Sequence, residues 1–269
     1  MPEKPQTLAG AAVGVLATAD AAAKAAAGRA VAAAWRAGAI AEVGRAAPPD
    51  RPARPACPEL KAPRDVPRRS IGPAPKGRVA LLHALAHIEL NAIDLAWDLI
   101  ARFSGDELPR AFFDDWVTVA DDEARHFTLL SERLAAFGAA YGDLPAHDGL
   151  WQAASDTRHD LLARLAVVPL VLEARGLDVT PAMIAKLEAA GDPESAALLR
   201  VVYHDEIGHV AAGKRWFDWA CHRAGLEPAE TWRALVERHF KGTLKPPFNE
   251  AARREAGLTP DLYGPLAAG

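Results

Sequence analysis

The chain has 269 residues, half of them hydrophobic, so it can enclose a sizeable core as one large domain or two small ones. A formal charge of −4 and a pI near 6.1 argue against nucleic acid as a general partner and leave only local basic patches to consider. Cys57 and Cys221 lie far apart without Cys-x-x-Cys or framework spacing, which excludes a disulfide scaffold and reads as free thiols in a reducing cytosol.

Ala dominates and alternating strand patterns are hard to find, so an all-α protein is predicted. No apolar run approaches the roughly 18 residues that span a bilayer, so no membrane segment is expected. Residues 8–19 have the length of a signal-peptide core, and Ala17-Thr18-Ala19 has the form of a cleavage site. Against that, the only cation before them is Lys4 beside Glu3, and Ala-rich helix continues to about Trp35. A cytoplasmic location is expected. The organisation expected is one domain over 1–269: N-terminal helices in 1–45, an extended arm in 46–77, a four-helix bundle in 78–221, and a C-terminal helix and tail in 222–269.

Residues 7–45 read as one or two helices packing through Leu8, Val13, Leu16, Val31, Trp35 and Ile40. Short isolated helices are marginal in water, so this piece should dock on the bundle. Nine prolines between Pro48 and Pro75 forbid regular helix in the arm. Its excess of Arg and Lys suits a wrap paired with acidic bundle residues, or a basic recognition arm using Arg64, Arg68 and Arg69.

The bundle helices are placed at about 78–103, from 110 to near Gly138, 156–175 and 193–221, with 141–156 as a crossover in which His147 and Asp148 cap a loop. Pro169 should kink the third helix, and residues 176–179 should break it. Thr180-Pro181 then reads as an N-cap and first-turn proline opening a short helix that ends near Gly191. A further helix is expected at 228–241, followed by an extended tail from Lys245.

Glu89 precedes Glu123-Ala-Arg-His126 by 34 residues, and Glu173 precedes Glu206-Ile-Gly-His209 by 33. The chain therefore repeats one unit, a helical hairpin with three candidate metal ligands. Positions i and i+3 share a helix face, so each Glu-x-x-His aims two donors one way. A lone pair of this kind is common on wet surfaces. Here each copy lies in an apolar stripe: Trp116, Val119, Ala120, Phe127, Leu130 and Leu134 around the first, Leu199, Val202, Tyr203, Val210 and Phe217 around the second. Four inward-facing carboxylates are untenable without cations, and two divalent ions neutralise them. Carboxylate and imidazole donors suit iron, manganese or zinc better than copper or magnesium, and of the three iron is the expected ion. The metal ligands predicted are Glu89, Glu123, His126, Glu173, Glu206 and His209. Tyr203 stands where the first half has Ala120, and is the candidate catalytic hydroxyl beside its simpler role in packing.

This constellation resembles the di-metal site of the ferritin-like superfamily, with a Glu from each of two helices and Glu-x-x-His from each of the others. The phrases His83-Ala-Leu-Ala-His-Ile-Glu-Leu-Asn-Ala, Gly142-Asp-Leu-Pro-Ala-His-Asp-Gly-Leu-Trp and Glu173-Ala-Arg-Gly-Leu-Asp-Val-Thr-Pro resemble the bacterial family domain of unknown function 455. That likeness covers most of the chain and supplies no substrate. Asp-Glu-x-Arg-His at 122–126 is also similar to the motif of di-iron monooxygenases and desaturases. The resemblance implies that Asp122 orients His209 and Asp205 orients His126. It further implies an oxygen-activating oxidase or hydroxylase whose partners are dioxygen, a small-molecule substrate and an electron donor. A tRNA-modifying hydroxylase and a non-catalytic metal or iron store are the alternatives.

Overall fold

The computed structural model describes residues 7–62, 65–66 and 74–267. It is all-α: among these residues there is no strand, and β pairing is limited to isolated bridges at Leu60–Ala146 and Leu244–Ala267. The chain divides into two compact units, the first within Met1–Ser70 and Ala74–Asp148, the second centred on Gly149–Gly269.

The first unit is built on a helical hairpin, α3 (Pro75–Arg102) and α4 (Arg110–Ala136), joined by a short turn. Two Ala-rich helices, α1 (Leu8–Leu16) and α2 (Ala21–Arg36), pack against it, as their composition predicts. Thr7 and Asp20 start these helices by accepting hydrogen bonds from the backbone N–H groups of Gly10 and Ala23, two of the donors a helix start leaves unmatched. Leu8, Leu16, Trp35 and Ile40 are buried, whereas Val13 and Val31 are half-buried.

The described part of the proline-rich arm, residues 46–62, lies against this unit and pairs with its acidic residues. The attachment goes deeper than a surface pairing. Lys24 reaches the carbonyl of Ala53 at 2.8 Å and Asp94 Oδ1 at 2.5 Å, while Arg54 Nε meets Asp94 Oδ2 at 2.7 Å and its other nitrogen donates to Asn91. Lys24 and Asp94 are both fully buried. Burial pushes Lys24 down and Asp94 up, so Asp94 depends on Lys24 and Arg54, and Lys24 on Asp94, to remain charged. Nearer the surface, Arg51 pairs with Asp148 and Arg102 donates to the carbonyl of Pro49. Arg64, Arg68 and Arg69, which the recognition-arm alternative needs, lie outside the described residues.

α3 corrects one expectation. By length and composition it is apolar enough to cross a bilayer, yet most of that apolar window is buried inside the protein, and it carries Glu89, Asp94 and Asp98. Those charges mark it as a core helix whose polar groups are compensated from within.

In the second unit, α7 (Ala174–Ala189) pairs with α8 (Pro193–Arg223), and α6 (Leu161–Val167) packs on α9 (Pro228–His239), where Trp232 donates to the carbonyl of Ala166. α5 (Gly149–Asp156) occupies part of the expected crossover. Arg164, buried, ties the end of α5 to α6 through the carbonyl of Ala154 and Thr157 Oγ1. The third bundle helix begins at Leu161 because Asp160 caps it.

The expected break at 176–179 is absent. α7 runs through Gly176 and past Pro181, which sits inside it. Tertiary contacts override local propensity here: Leu177 is fully buried, and Asp178 holds Arg253 at 2.7 and 2.8 Å and accepts from the backbone of Asn249. The irregularity lies just upstream, in a π-helical turn at Val168–Glu173. The tail is not extended either. Asn249 caps α10 (Glu250–Glu255), and α11 (Pro260–Tyr263) follows, with Arg253 stacked on the rings of Phe248 and Tyr263.

Removing one member of a buried ion cluster leaves the remaining charges uncompensated, at a cost of about 3–5 kcal/mol. Asp94→Ala is therefore expected to lower the unfolding free energy by about that amount in denaturant titration, and a loss below about 1 kcal/mol would contradict the cluster's role.

Candidate metal centre

The first unit brings three predicted ligands together. Glu89 comes from the middle of α3, and Glu123 and His126 come from one face of α4, where they lie one helical turn apart. All three are almost completely buried. His126 Nδ1 lies 3.3 Å from Glu89 Oε2 and 3.6 Å from Glu123 Oε2, and one ligand atom from each residue falls within 4.8 Å of the others. The walls are apolar: Leu82, Ala86, Ile93 and Ala96 from the face of α3 that carries Glu89, with Trp116, Ala120, Phe127 and Leu130, the stripe read from the sequence, from α4.

The electrostatics follow from this packing. Burial raises the Glu89 carboxyl well above its usual range, and the neighbouring Glu123 carboxylate raises it further. Burial alone would depress His126, but hydrogen bonds to Glu123 and Glu89 outweigh it and lift the imidazole to about 11. Without a metal, protons carry the positive charge that these carboxylates require. Two carboxylates and an imidazole also form a borderline-hard donor set that fits a divalent transition metal. This cluster can hold a metal ion.

The second unit carries the other predicted set. Glu206 and His209 share a face of α8, with Nδ1 and Oε2 3.6 Å apart. Their stripe is buried at Leu199, Val202, Val210 and Phe217. Glu173 is the last residue of the π-helical turn. Tyr203 is half-buried, and its hydroxyl accepts a 2.7 Å hydrogen bond from Asn249 Nδ2. Asp122 pairs with Arg125 at 3.0 Å on its own helix, an arrangement the second half cannot copy because Gly208 stands where Arg125 does. Asp205 lies 3.9 Å from His204 Nδ1.

One cluster beside the first ligand set escaped the sequence reading. His87, one turn before Asn91, faces Tyr141 Oη at 2.9 Å through Nδ1 and the carbonyl of His147 at 3.0 Å through Nε2. A carbonyl can only accept, so Nε2 carries the proton and Nδ1 accepts from the tyrosine. Burial depresses His87 to about 4, which keeps it neutral. His83 Nε2 accepts from the backbone of Gly142 and Leu144, and its ring stacks on Tyr141. The visible signal was the i, i+4 spacing of His83 and His87 on the helix of Glu89, but nothing local indicates that their partners lie some 60 residues away. His147 therefore acts through its carbonyl, and Asp148 through Arg51.

The description "Protein of unknown function (DUF455)" matches residues 17–264, nearly the whole chain. The chain belongs to the DUF455 family. An "Uncharacterized protein" of Haemophilus influenzae is 42% identical over 207 residues, covering 75% of this chain and 72% of that protein. No solved structure matches. In this DUF455 protein the case for a metal centre therefore rests on the chemistry of the residues themselves.

Ligands must lose their protons to bind a cation. The His126 proton, held to about 11 in the metal-free site, must leave on metal entry. Adding Zn(II) or Mn(II) to weakly buffered, metal-free protein at neutral pH should release at least about one proton per chain, and affinity should fall as the pH is lowered. Metal uptake without proton release would remove His126 from the ligand set.

Proposed function

We propose that this protein is a dimetal carboxylate enzyme of ferritin-like type, an oxidase or hydroxylase that activates dioxygen toward a small-molecule substrate. The observation carrying the reading is the burial of Glu89 and Glu123 side by side around His126, a group of anions that calls for permanent cations. The matched repeat in the sequence supports extending the ligand set to Glu173, Glu206 and His209, giving six ligands for two ions. Iron is the proposed metal, with manganese or zinc as alternatives. Paired iron ions supply one-electron redox chemistry with dioxygen when bound.

The chain's own contribution is positioning and exclusion of water. The glutamates neutralise the ions, and the apolar walls keep the first ligand set dry, which strengthens each electrostatic contact inside it. Asp122 and Asp205 belong to the proposal as partners that orient ligating histidines and raise their basicity. Asn249 donates to the Tyr203 oxygen, leaving the phenol proton to be donated to a bound substrate. An electron donor completes the cycle, and the cytoplasm, whose reducing thiol pool suits the free cysteines, is the proposed location.

Natively purified protein should hold about two ions per chain, and His126→Ala and His209→Ala should each lose both. Finding at most one ion, or full loading in both variants, would remove the dimetal reading. Reduced, iron-loaded protein should consume dioxygen without taking up iron beyond that pair, and Glu123→Ala should abolish the consumption while keeping its helical content. Continued iron uptake and mineral formation would favour storage, and tRNA binding that weakens steeply with salt would favour an RNA substrate.

A further inference from the structure

α8 presents Glu206, His209 and Gly213 at spacings of three and four, so the three share one face. Gly213 is buried in the middle of a long helix, where glycine is intrinsically unfavourable. Its neighbour across the interface is Pro169. A Cβ on Gly213 would stand 2.6 Å from Pro169 Cγ, closer still to its Cβ, and 3.6 Å from Leu170 Cδ2. Both proline atoms belong to a ring fused to the backbone, so neither can swing aside as the end of a flexible side chain could.

Pro169 also opens the irregular stretch of the neighbouring helix. It has no N–H to give to the carbonyl four residues back, so the α-helical ladder is interrupted there. The chain answers with a π-helical turn, Val168–Glu173, closed by the N–H of Ala174 donating to the carbonyl of Pro169, five residues back. Glu173 is the last residue of that turn. A turn of this kind accommodates one extra residue and so resets the direction in which the next side chains leave the helix.

We propose that Gly213 and Pro169 form a register key: the bare backbone of Gly213 seats the Pro169 ring, and this seat positions Glu173 relative to Glu206 and His209. Gly213 is a positioning residue, whose lack of a side chain acts through Pro169. The inference deepens the proposed function and rests on Glu173, Glu206 and His209 being metal ligands.

The test uses Co(II) as a spectroscopic probe, measuring its stoichiometry, dissociation constants and visible ligand-field spectrum in the full chain. Gly213→Ala should weaken binding of one Co(II) by about 10- to 100-fold and alter its spectrum, as expected when the support of a ligand is lost, with the far-UV circular dichroism unchanged. Gly208→Ala is the control for helix propensity, because a Cβ there meets nothing within 4 Å, and it should bind as the parent does. Combining Gly213→Ala with Pro169→Gly removes both ring atoms that the new methyl group meets, and should restore binding. If Gly213→Ala alone does not fold, this double variant must still fold and bind. Parent-like binding by Gly213→Ala, or failure of the double variant to recover, would overturn the register key while leaving the dimetal reading in place. A parent that binds no Co(II) would overturn both.

Discussion

Two carboxylates that water cannot reach, placed beside each other, set the terms for the first unit. Glu89 and Glu123 sit buried on facing helices, each within 3.6 Å of His126 Nδ1. An ionised carboxylate taken out of water costs several kcal/mol even after relaxation, and a second one beside it raises that cost. Folding alone has no reason to build such a pair, since apolar side chains of similar volume would pack at least as well. The metal-free protein manages it by holding protons, visible in the raised Glu89 carboxyl and the raised His126 imidazole. A cation that displaces those protons turns an electrostatic liability into a binding site.

The same helix meets a second demand on another face. Asn91, Asp94 and Asp98 follow one another at spacings of three and four along α3, turned away from the side that carries Glu89. Their compensation comes from remote parts of the chain: Lys24 from α2, Arg54 from the arm, and Arg102 one turn beyond Asp98. A proline-rich segment incapable of helix thereby becomes part of the core, because one of its cations is required there. This arrangement explains how α3 can be apolar enough for a membrane and yet sit inside the protein with anions on two faces. Tyr141, His83 and His87 add a neutral polar cluster that fastens residues 141–147 to the same helix.

The legible parts of the sequence were those governed by short-range rules. Helical periodicity placed α3, α4 and α8 within a few residues, and the i, i+3 geometry of Glu123 and His126 required only that α4 be a helix. Errors came where distant contacts outvoted local propensity. Gly176 and Pro181 signal a helix break, but the fully buried Leu177 and the Asp178–Arg253 pair, whose members are 75 residues apart, hold that stretch helical. The irregularity took the form of a π-helical turn at Pro169 itself in place of a break at 176–179, since Pro169 reveals a defect in the ladder without saying how the chain will repair it. The helices of the tail were hidden because Asn249 and Arg253 are short-range signals of little weight until Asp178 and Tyr203 receive them.

Glu89, Glu123 and His126 form a buried cluster that can hold a cation. Crystals of the protein loaded with iron or manganese, with diffraction recorded on both sides of the metal absorption edge, test it most directly. An anomalous-difference peak within coordination distance of one atom from each of these three residues, at about 2.0–2.2 Å, is the result predicted. Fully loaded crystals with no peak there, and with Glu89 and His126 still joined by a hydrogen bond, would contradict it.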